Sequence, residues 1–346
     1  MTQWTRKNSR AFMPYPDCDV PHAESGPLAG LTFSVKDMFD VAGFPTSAGS
    51  PAMLAASGIK TKTACAVQQL LDTGARFIGK AVTDELAFSV IGNNAHFDIP
   101  VNGAAPERYA GGSSSGSASS VSCGLCDFSL GTDSGGSVRG PASQCGLFGI
   151  RPSFGRISLE GCFGPRVIDA VSDALESAQS LWGQAHRVKA ATVDLNAVLK
   201  AYQALQGREI WKHDGTFIEK YQPTFGPGVK ERFAFAKTVH DKDLTEQESL
   251  CEQAVRHING LLADSSVLIL PTLPGAGLKL DCSPDDMNAF RNKMSASFCL
   301  GGLAGVPWIT LPLAEIDGAP LGVSLVSACG TDAWLLELSK ALVQNR

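Results

Sequence analysis

The stretch from Gly111 to Gly155 reads GGSSSGSASSVSCGLCDFSLGTDSGGSVRGPASQCGLFGIRPSFG and is richer in glycine and serine than a packed core requires. Small side chains leave backbone N–H groups and hydroxyls accessible in such a segment. Acyl transfer needs that combination, because a hydroxyl can attack a carbonyl carbon while nearby N–H donors stabilise the oxyanion that forms. The stretch therefore predicts a serine-based catalytic loop.

Length, composition and charge restrict the class of protein. The chain has 346 residues, 44% of them hydrophobic, with 36 glycines and 19 prolines, which predicts a large core with many loops. The formal net charge of −5 and the lack of a Lys/Arg block argue against nucleic acid and favour a small-molecule partner. Because no apolar run approaches the ~20 residues of a membrane helix, we expect no membrane partner and a cytoplasmic location.

The ten cysteines and six histidines are scattered along the chain, which is typical of reduced thiols and structural imidazoles. Cys123 and Cys126 form a CxxC, the pattern of a redox pair or half a zinc site. Neither a second CxxC nor a nearby histidine completes a metal set, so we expect no metal and no cofactor. His96 is the histidine that precedes the Gly/Ser stretch most closely, in GNNAHFDIPVN.

Alternation of helical and strand patterns predicts an α/β layered core. Prolines make residues 1–27 an irregular arm, and residues 28–346 then form one domain. Leu28–Asp40 is predicted to contain a buried strand with Lys36 near its end, and residues 63–73 a helix capped by Thr63. Further predicted elements are strands at 75–80, 128–130 and 267–270, helices at 117–125, 196–211 and 246–262, and a C-terminal hairpin turning at Asp317–Gly318.

The residues alone leave two kinds of nucleophile open. Gly112–Gly116 satisfies GxSxG, which would make Ser114 a nucleophile in a serine–histidine–aspartate set, but no hydrophobic strand precedes it and no histidine follows His257. A lysine base is the alternative, since burial beside LTFSV would lower the pKa of Lys36. Local sequence by itself favours a simpler interpretation, in which the adjacent Asp37 neutralises that lysine.

Three segments, taken together, resemble the amidase signature family. They are VKD at 35–37, GGSSSGSA at 111–118 and GTDSGGSVRGPA at 131–142, which have the family's order and spacing. With GNNAHFDIPVN and QPTFGPGVKERF, the chain looks most like the indole-3-acetamide hydrolase, or amidase 1, group of that family. The resemblance implies a fold with a mixed β-sheet core covered by helices on both faces.

By this resemblance the catalytic triad consists of Lys36, Ser113 and Ser137. Ser137 is expected to attack the amide carbonyl and Ser113, in a cis peptide, to relay its proton. Lys36 accepts that proton and returns it. In relatives of this family the chain usually continues for several dozen residues after the segment matching GRISLEG, so the resemblance also implies a deletion near residues 165–166.

The residues around the nucleophile have supporting roles by the same resemblance. The backbone N–H groups of Ser134, Gly135 and Gly136, together with that of the nucleophile, are expected to form the oxyanion hole. Asp133 and Arg139 are expected to hold the loop through an ion pair, the alternative being that both lie on the surface.

The implied reaction is hydrolysis of a small primary amide to a carboxylate and ammonia through an acyl-enzyme. No arginine cluster near the motif offers a carboxylate clamp, so an aryl or indole-acetamide-like acyl group is expected. Two alternatives stay open: a non-catalytic scaffold of the same fold, and the glutamine-hydrolysing component of an amidotransferase. A homodimer is one assembly compatible with this resemblance.

Overall fold

A computed structural model describes residues 3–162, 194–263 and 265–344 of the chain. The deletion predicted near residues 165–166 lies outside the described residues. The helices of the described part are α1 (Arg6–Ser9), α2 (Pro51–Ser57), α3 (Cys65–Asp72), α4 (Ser115–Ser122), α5 (Arg139–Gln144), α6 (Leu195–Tyr221), α7 (Val229–Val239), α8 (Thr245–Leu261), α9 (Pro284–Ala304) and α10 (Asp332–Gln344). The strands are β1 (Thr32–Lys36), β2 (Arg76–Ala81), β3 (Phe128–Leu130), β4 (Gly149–Arg151), β5 (Leu268–Pro271), β6 (Trp308–Ile316) and β7 (Ala319–Val326).

The first sheet is parallel and has the order β2-β1-β3. The central strand β1 reads TFSVK, and its last four residues are buried, as expected of a parallel strand covered on both faces. Phe33 of β1 stacks on Phe128 of β3 with ring centroids 5.4 Å apart and packs edge-on against Phe77 of β2 at 5.9 Å. This packing holds the strand that ends at Lys36 inside the molecule.

The N-terminal arm follows the outer edge of this sheet. The N–H of Met13 donates to the carbonyl of Lys80 at 2.9 Å, and Phe12 forms a β-bridge with Ala81. The arm is irregular as predicted, apart from the single turn α1, where the Thr5 hydroxyl accepts from the N–H of Asn8. The arm therefore covers an edge of β2 that would otherwise expose unpaired backbone groups.

The second sheet is antiparallel and has the order β4-β6-β7-β5. The hairpin between β6 and β7 turns at Asp317 and Gly318, whose φ values of 51° and 72° are those of a two-residue turn with both residues left-handed. Helix α10 packs on one face of this sheet through Leu335, and α9 packs on the other through Phe298. The sheet is thus covered on both faces.

The helices α4 and α5 flank the Gly/Ser stretch and connect the two sheets. Helix α4 packs on the parallel sheet and α5 on the antiparallel one, and the two helices also contact each other. Helix α6 packs against α7, α8 and α9 to form a helical layer beside them. Parallel and antiparallel strands covered by helices confirm the predicted α/β class, although the described residues divide the strands between two sheets.

Two local predictions were wrong. Helix α3 begins at Cys65 with Ala64 as its N-cap and no side-chain cap, because the Thr63 hydroxyl instead accepts from the N–H of Ala42 at 3.1 Å. The strand predicted as fully buried, β5, lies at the edge of its sheet, and Ile269 is 63% exposed. An apolar run predicts a strand but cannot by itself distinguish an edge from a centre.

Candidate active site

Lys36 lies at the carboxyl end of β1, the position where parallel sheets commonly present functional groups. Its side chain is 0% exposed. The Nζ atom donates to the hydroxyl of Ser113 at 2.7 Å and to the hydroxyl of Thr132 at 2.7 Å. The three segments that the sequence singled out are therefore joined by one buried amine.

The predicted pairing of Lys36 with Asp37 was wrong. The carboxylate of Asp37 pairs with Lys80 of β2, with 2.8 Å between Nζ and Oδ1, and both side chains are fully buried. The same carboxylate accepts from the N–H of Ser47 at 3.0 Å and from the hydroxyl of Tyr15 at 2.8 Å. These contacts occupy Asp37 and leave the charge of Lys36 uncompensated by its neighbour.

Burial has the expected effect on the titration of Lys36. Removal from water lowers the pKa of this amine from 10.5 to about 8, and the nearby carboxylate of Asp84 opposes only part of that shift. A substantial fraction of Lys36 is therefore neutral close to physiological pH. An amine in that state can accept a proton, which an ordinary lysine cannot do.

Ser113 is fully buried and follows a cis peptide bond from Gly112. Its carbonyl accepts from the hydroxyl of Thr83 at 2.9 Å and from the N–H of Asp84 at 3.2 Å. A Cβ on Gly112 would lie 2.2 Å from Oδ2 of Asp84, so only glycine fits there. Backbone contacts thus fix the serine whose hydroxyl meets the lysine.

Ser137 follows the GTDSGG segment, two residues before α5, and is 5% exposed. The N–H of Ser114 donates to the carbonyl of Ser137 at 3.3 Å, which places the two Gly/Ser loops side by side. Among the described residues its hydroxyl has no hydrogen-bond partner. The structure thus joins Lys36 to Ser113 through side chains, and brings Ser137 next to Ser113 through the backbone.

The N–H groups predicted for the oxyanion hole differ in their availability. The N–H of Gly136 donates to Oδ1 of Asp133 at 2.8 Å, so this donor is already occupied and its predicted role was wrong for this conformation. The N–H groups of Ser134, Gly135 and Ser137 have no partner within the described ranges. Gly136 has a φ of 108°, and a Cβ there would overlap the ring of Phe298 at 2.2 Å.

Asp133 and Arg139 form the predicted ion pair, and they do so in the interior, which excludes the surface alternative. Their side chains are 3% and 0% exposed, with contacts of 2.9 Å from Nε to Oδ2 and 2.8 Å from Nη2 to Oδ1. Burial alone would raise the pKa of Asp133, but Arg139 and Arg151 hold it well below the usual range. The guanidinium of Arg139 lies 4.5 Å from the ring centroids of both Phe298 and Trp308.

The other candidate motifs have structural roles. Ser114, the candidate of the GxSxG pattern, is the N-cap residue of α4, and its hydroxyl donates to the carbonyl of Thr132 at 3.3 Å. Cys123 and Cys126 are buried free thiols with raised pKa values. The ring of His96 contacts the carbonyl of Thr224 at 2.7 Å. The described residues contain no group of His, Cys, Asp and Glu arranged to hold a metal.

Sequence analysis missed the contacts that Thr132 and Tyr202 make. Thr132 provides the second acceptor for Lys36, and its place in the GTDS segment was the available signal. The hydroxyl of Tyr202 on α6 donates to the carbonyl of Ser134 at 3.3 Å and accepts from Gln206 at 3.1 Å. Nothing near the motif indicates that a residue on a distant helix supports the loop.

Comparisons with known proteins agree with this geometry. A family model described as "Amidase" matches residues 14–177. "Amidase 1" of Arabidopsis thaliana is 31% identical over 394 aligned positions, which cover 91% of this chain and 93% of that protein. The chain belongs to the amidase signature family. It is an amide-cleaving hydrolase, as the shared architecture of solved family members also supports.

One solved relative, described as "Crystal structure of amidase", superposes with a TM-score of 0.76 at 28% identity, covering 92% of this chain and 85% of that one. "Outer envelope protein 64, chloroplastic" of Arabidopsis thaliana is 28% identical and covers 94% of this chain and 68% of that protein. Within residues 3–162, 194–263 and 265–344, no helix of this amidase has both the length and the apolar character needed to cross a membrane.

Proposed function

We propose that the protein hydrolyses a small primary amide to a carboxylate and ammonia with Ser137 as nucleophile, Ser113 as relay and Lys36 as base. The observation that carries the proposal is the 2.7 Å contact between Nζ of Lys36 and the hydroxyl of Ser113. Because Thr132 accepts one N–H of the same amine, the lone pair of neutral Lys36 can face Ser113. This arrangement supports proton transfer along a serine–serine–lysine chain.

The proposed steps balance without a cofactor. Ser113 passes its proton to Lys36 and takes the proton of Ser137, whose oxygen bonds to the amide carbon. The N–H groups of Ser134, Gly135 and Ser137 are the donors available to the oxyanion of the tetrahedral intermediate. The chain then returns the proton to the amide nitrogen, the C–N bond breaks and ammonia leaves. Water attacks the resulting ester by the same route, which releases the carboxylic acid and restores Ser137.

For the acyl group we propose an aryl or indole-acetamide-like side chain. An aromatic cluster supports this preference, in which Phe233 of α7 packs against Phe88 at 5.0 Å and against Phe225 at 4.6 Å between ring centroids. Phe88 directly precedes the SVIGNNAHFDIP loop that sequence analysis predicted to line the pocket. Flat rings bind well against aromatic side chains.

Ammonia release from indole-3-acetamide, glutamine and malonamate by the isolated chain tests the proposal. Turnover of indole-3-acetamide that disappears in Ser137→Ala supports both chemistry and acyl preference. Retention of turnover in that variant refutes the nucleophile. Ammonia from glutamine alone would favour the amidotransferase alternative, which a 43% identity over 147 residues to a glutamyl-tRNA(Gln) amidotransferase component of Salinibacter ruber keeps relevant. The cytoplasmic location and the homodimer remain predictions.

A further inference from the structure

Two arginines from different helices, Arg232 of α7 and Arg291 of α9, have guanidinium donors without partners. The Nε and Nη2 atoms of Arg232 and the Nε atom of Arg291 are shielded from solvent and make no hydrogen bond with any described residue. Neither arginine forms an ion pair within the described part of the chain, although the head group of Arg291 donates to Asn288 at 2.8 Å. Buried guanidinium groups are almost always paired.

The two arginines lie close together and near the catalytic residues. A Cβ on Gly228, the first residue before α7, would lie 3.3 Å from Nη2 of Arg291, so that guanidinium covers the start of the helix that carries Arg232. The carboxylate of Asp84 interacts electrostatically with both guanidinium groups and also with Lys36. Asp84 therefore lies between the arginine pair and the triad.

The aromatic cluster borders the same place. The guanidinium carbon of Arg232 lies 5.3 Å from the centroid of Phe88. Burial and the neighbouring charge of Arg291 both lower the pKa of Arg232, which means that positive charge is unfavourable there until an anion approaches. The unpartnered N–H donors point to the same conclusion independently, because a planar anion would satisfy several of them together.

We propose that Arg232 and Arg291 form a carboxylate subsite in the substrate cleft, so that the substrate is a primary amide with a carboxylate group away from its scissile bond. This inference rests on the proposed amidase function and refines its substrate class. An aryl group against Phe88 and a carboxylate on the arginine pair fit one ligand, such as a carboxyphenylacetamide.

The charges around the pair favour a singly charged ligand. Asp84, Glu85 and Glu231 all interact electrostatically with Arg232, and Asp84 and Glu231 also with Arg291. A dianionic phosphate would meet repulsion from those carboxylates, whereas one carboxylate matches the bidentate donors of a guanidinium without a large excess of negative charge.

Matched pairs of amides test the subsite. We would measure kcat/KM for 4-carboxyphenylacetamide against phenylacetamide, and for malonamate and succinamate against their uncharged diamides. The wild type should prefer a carboxylated member of a pair. In Arg232→Gln and Arg291→Gln the ratio of charged to uncharged kcat/KM should fall by about 10- to 100-fold, the effect of losing a charge-assisted hydrogen bond. The ratio cancels any general loss of activity.

Arg256→Gln is the matched control, because Arg256 is exposed on α8 and pairs with Glu252 of its own helix. It should leave every ratio unchanged. If Arg232→Gln does not fold, Arg232→Lys keeps the charge without the planar donors and should lower the same ratio. A wild type that prefers the uncharged member of every pair refutes the subsite, as does a preference that survives both arginine variants. Loss of all turnover in Ser137→Ala concerns the proposed function instead, so the two failures are distinguishable.

Discussion

The titration of Lys36 makes the sharpest prediction about the reaction. If its neutral amine is the base, kcat/KM must follow the neutral fraction of the free enzyme. With a pKa of about 8, that fraction rises about tenfold per unit below the pKa and levels off above it. An amine at its ordinary value of 10.5 would give a rate that still climbs steeply at about pH 10.

The size of the effect follows from the same two values. At about pH 7 the neutral fraction is about one tenth with the lowered pKa and only about 0.03% with the ordinary one, a ratio of roughly 300. Burial of Lys36 behind β1 is the cause of that difference. The sign is fixed: a lowered lysine pKa places the rise of activity on the acidic side of about pH 8.

The assay is ammonia release from phenylacetamide, which does not ionise over the range, after a preincubation control for stability at each pH. We expect kcat/KM to rise about tenfold between about pH 6 and 7 and to reach a plateau by about pH 9. Lys36→Ala should lose more than ~10²-fold, and Lys36→Arg should recover nothing because guanidinium stays protonated. A profile that is flat from about pH 6, or that still rises tenfold per unit near pH 10, would refute the reasoning.

Three further substitutions probe the site. Ser137→Ala should abolish hydrolysis with little change in Tm, because its hydroxyl contributes no hydrogen bond to the described fold. Asp133→Asn should lower the free energy of unfolding in urea by ~3–5 kcal/mol, since it leaves the buried guanidinium of Arg139 without its counter-ion. Thr132→Val should reduce kcat/KM by about tenfold and move the plateau of the pH profile to lower pH, because it removes an acceptor that favours protonated Lys36.

Each of these outcomes has a clear opposite. A fluorophosphonate probe that labels another serine would reject Ser137 as nucleophile. A stability of Asp133→Asn within ~0.5 kcal/mol of the wild type, as for an exposed site, would mean that the ion pair is not buried in solution. An unshifted pH profile in Thr132→Val, even with lowered activity, would reduce that threonine to a packing residue.

Local patterns predicted the part of the fold and site that local forces determine. Strand β3 was predicted at its observed bounds, and the hairpin at Asp317–Gly318 was found where the turn residues placed it. The three segments of the triad could be recognised because each is a short motif. The contact of Lys36 with Ser113 could be expected from resemblance, but not from the residues, which favoured Asp37 as its partner.

Contacts between distant segments escaped the sequence. Asp37 chose Lys80 because the parallel pairing of β1 and β2 places the two side chains together, and strand pairing cannot be deduced from either segment. Arg232 and Arg291 lie far apart in the chain, on helices that meet only after folding. The absence of an arginine cluster near the motif was therefore no guide to the cleft.

The different partners of Lys36 and Asp37 separate catalysis from architecture within one dipeptide. The amine serves the chemistry, while the carboxylate binds Lys80 and the loop at Ser47. Replacing Lys36 alone would yield an inert protein that keeps this internal framework, whereas losing Asp37 would strand a buried lysine and endanger the whole structure. Such a scaffold can become catalytically silent in one mutational step and still persist as a folded domain available for other uses.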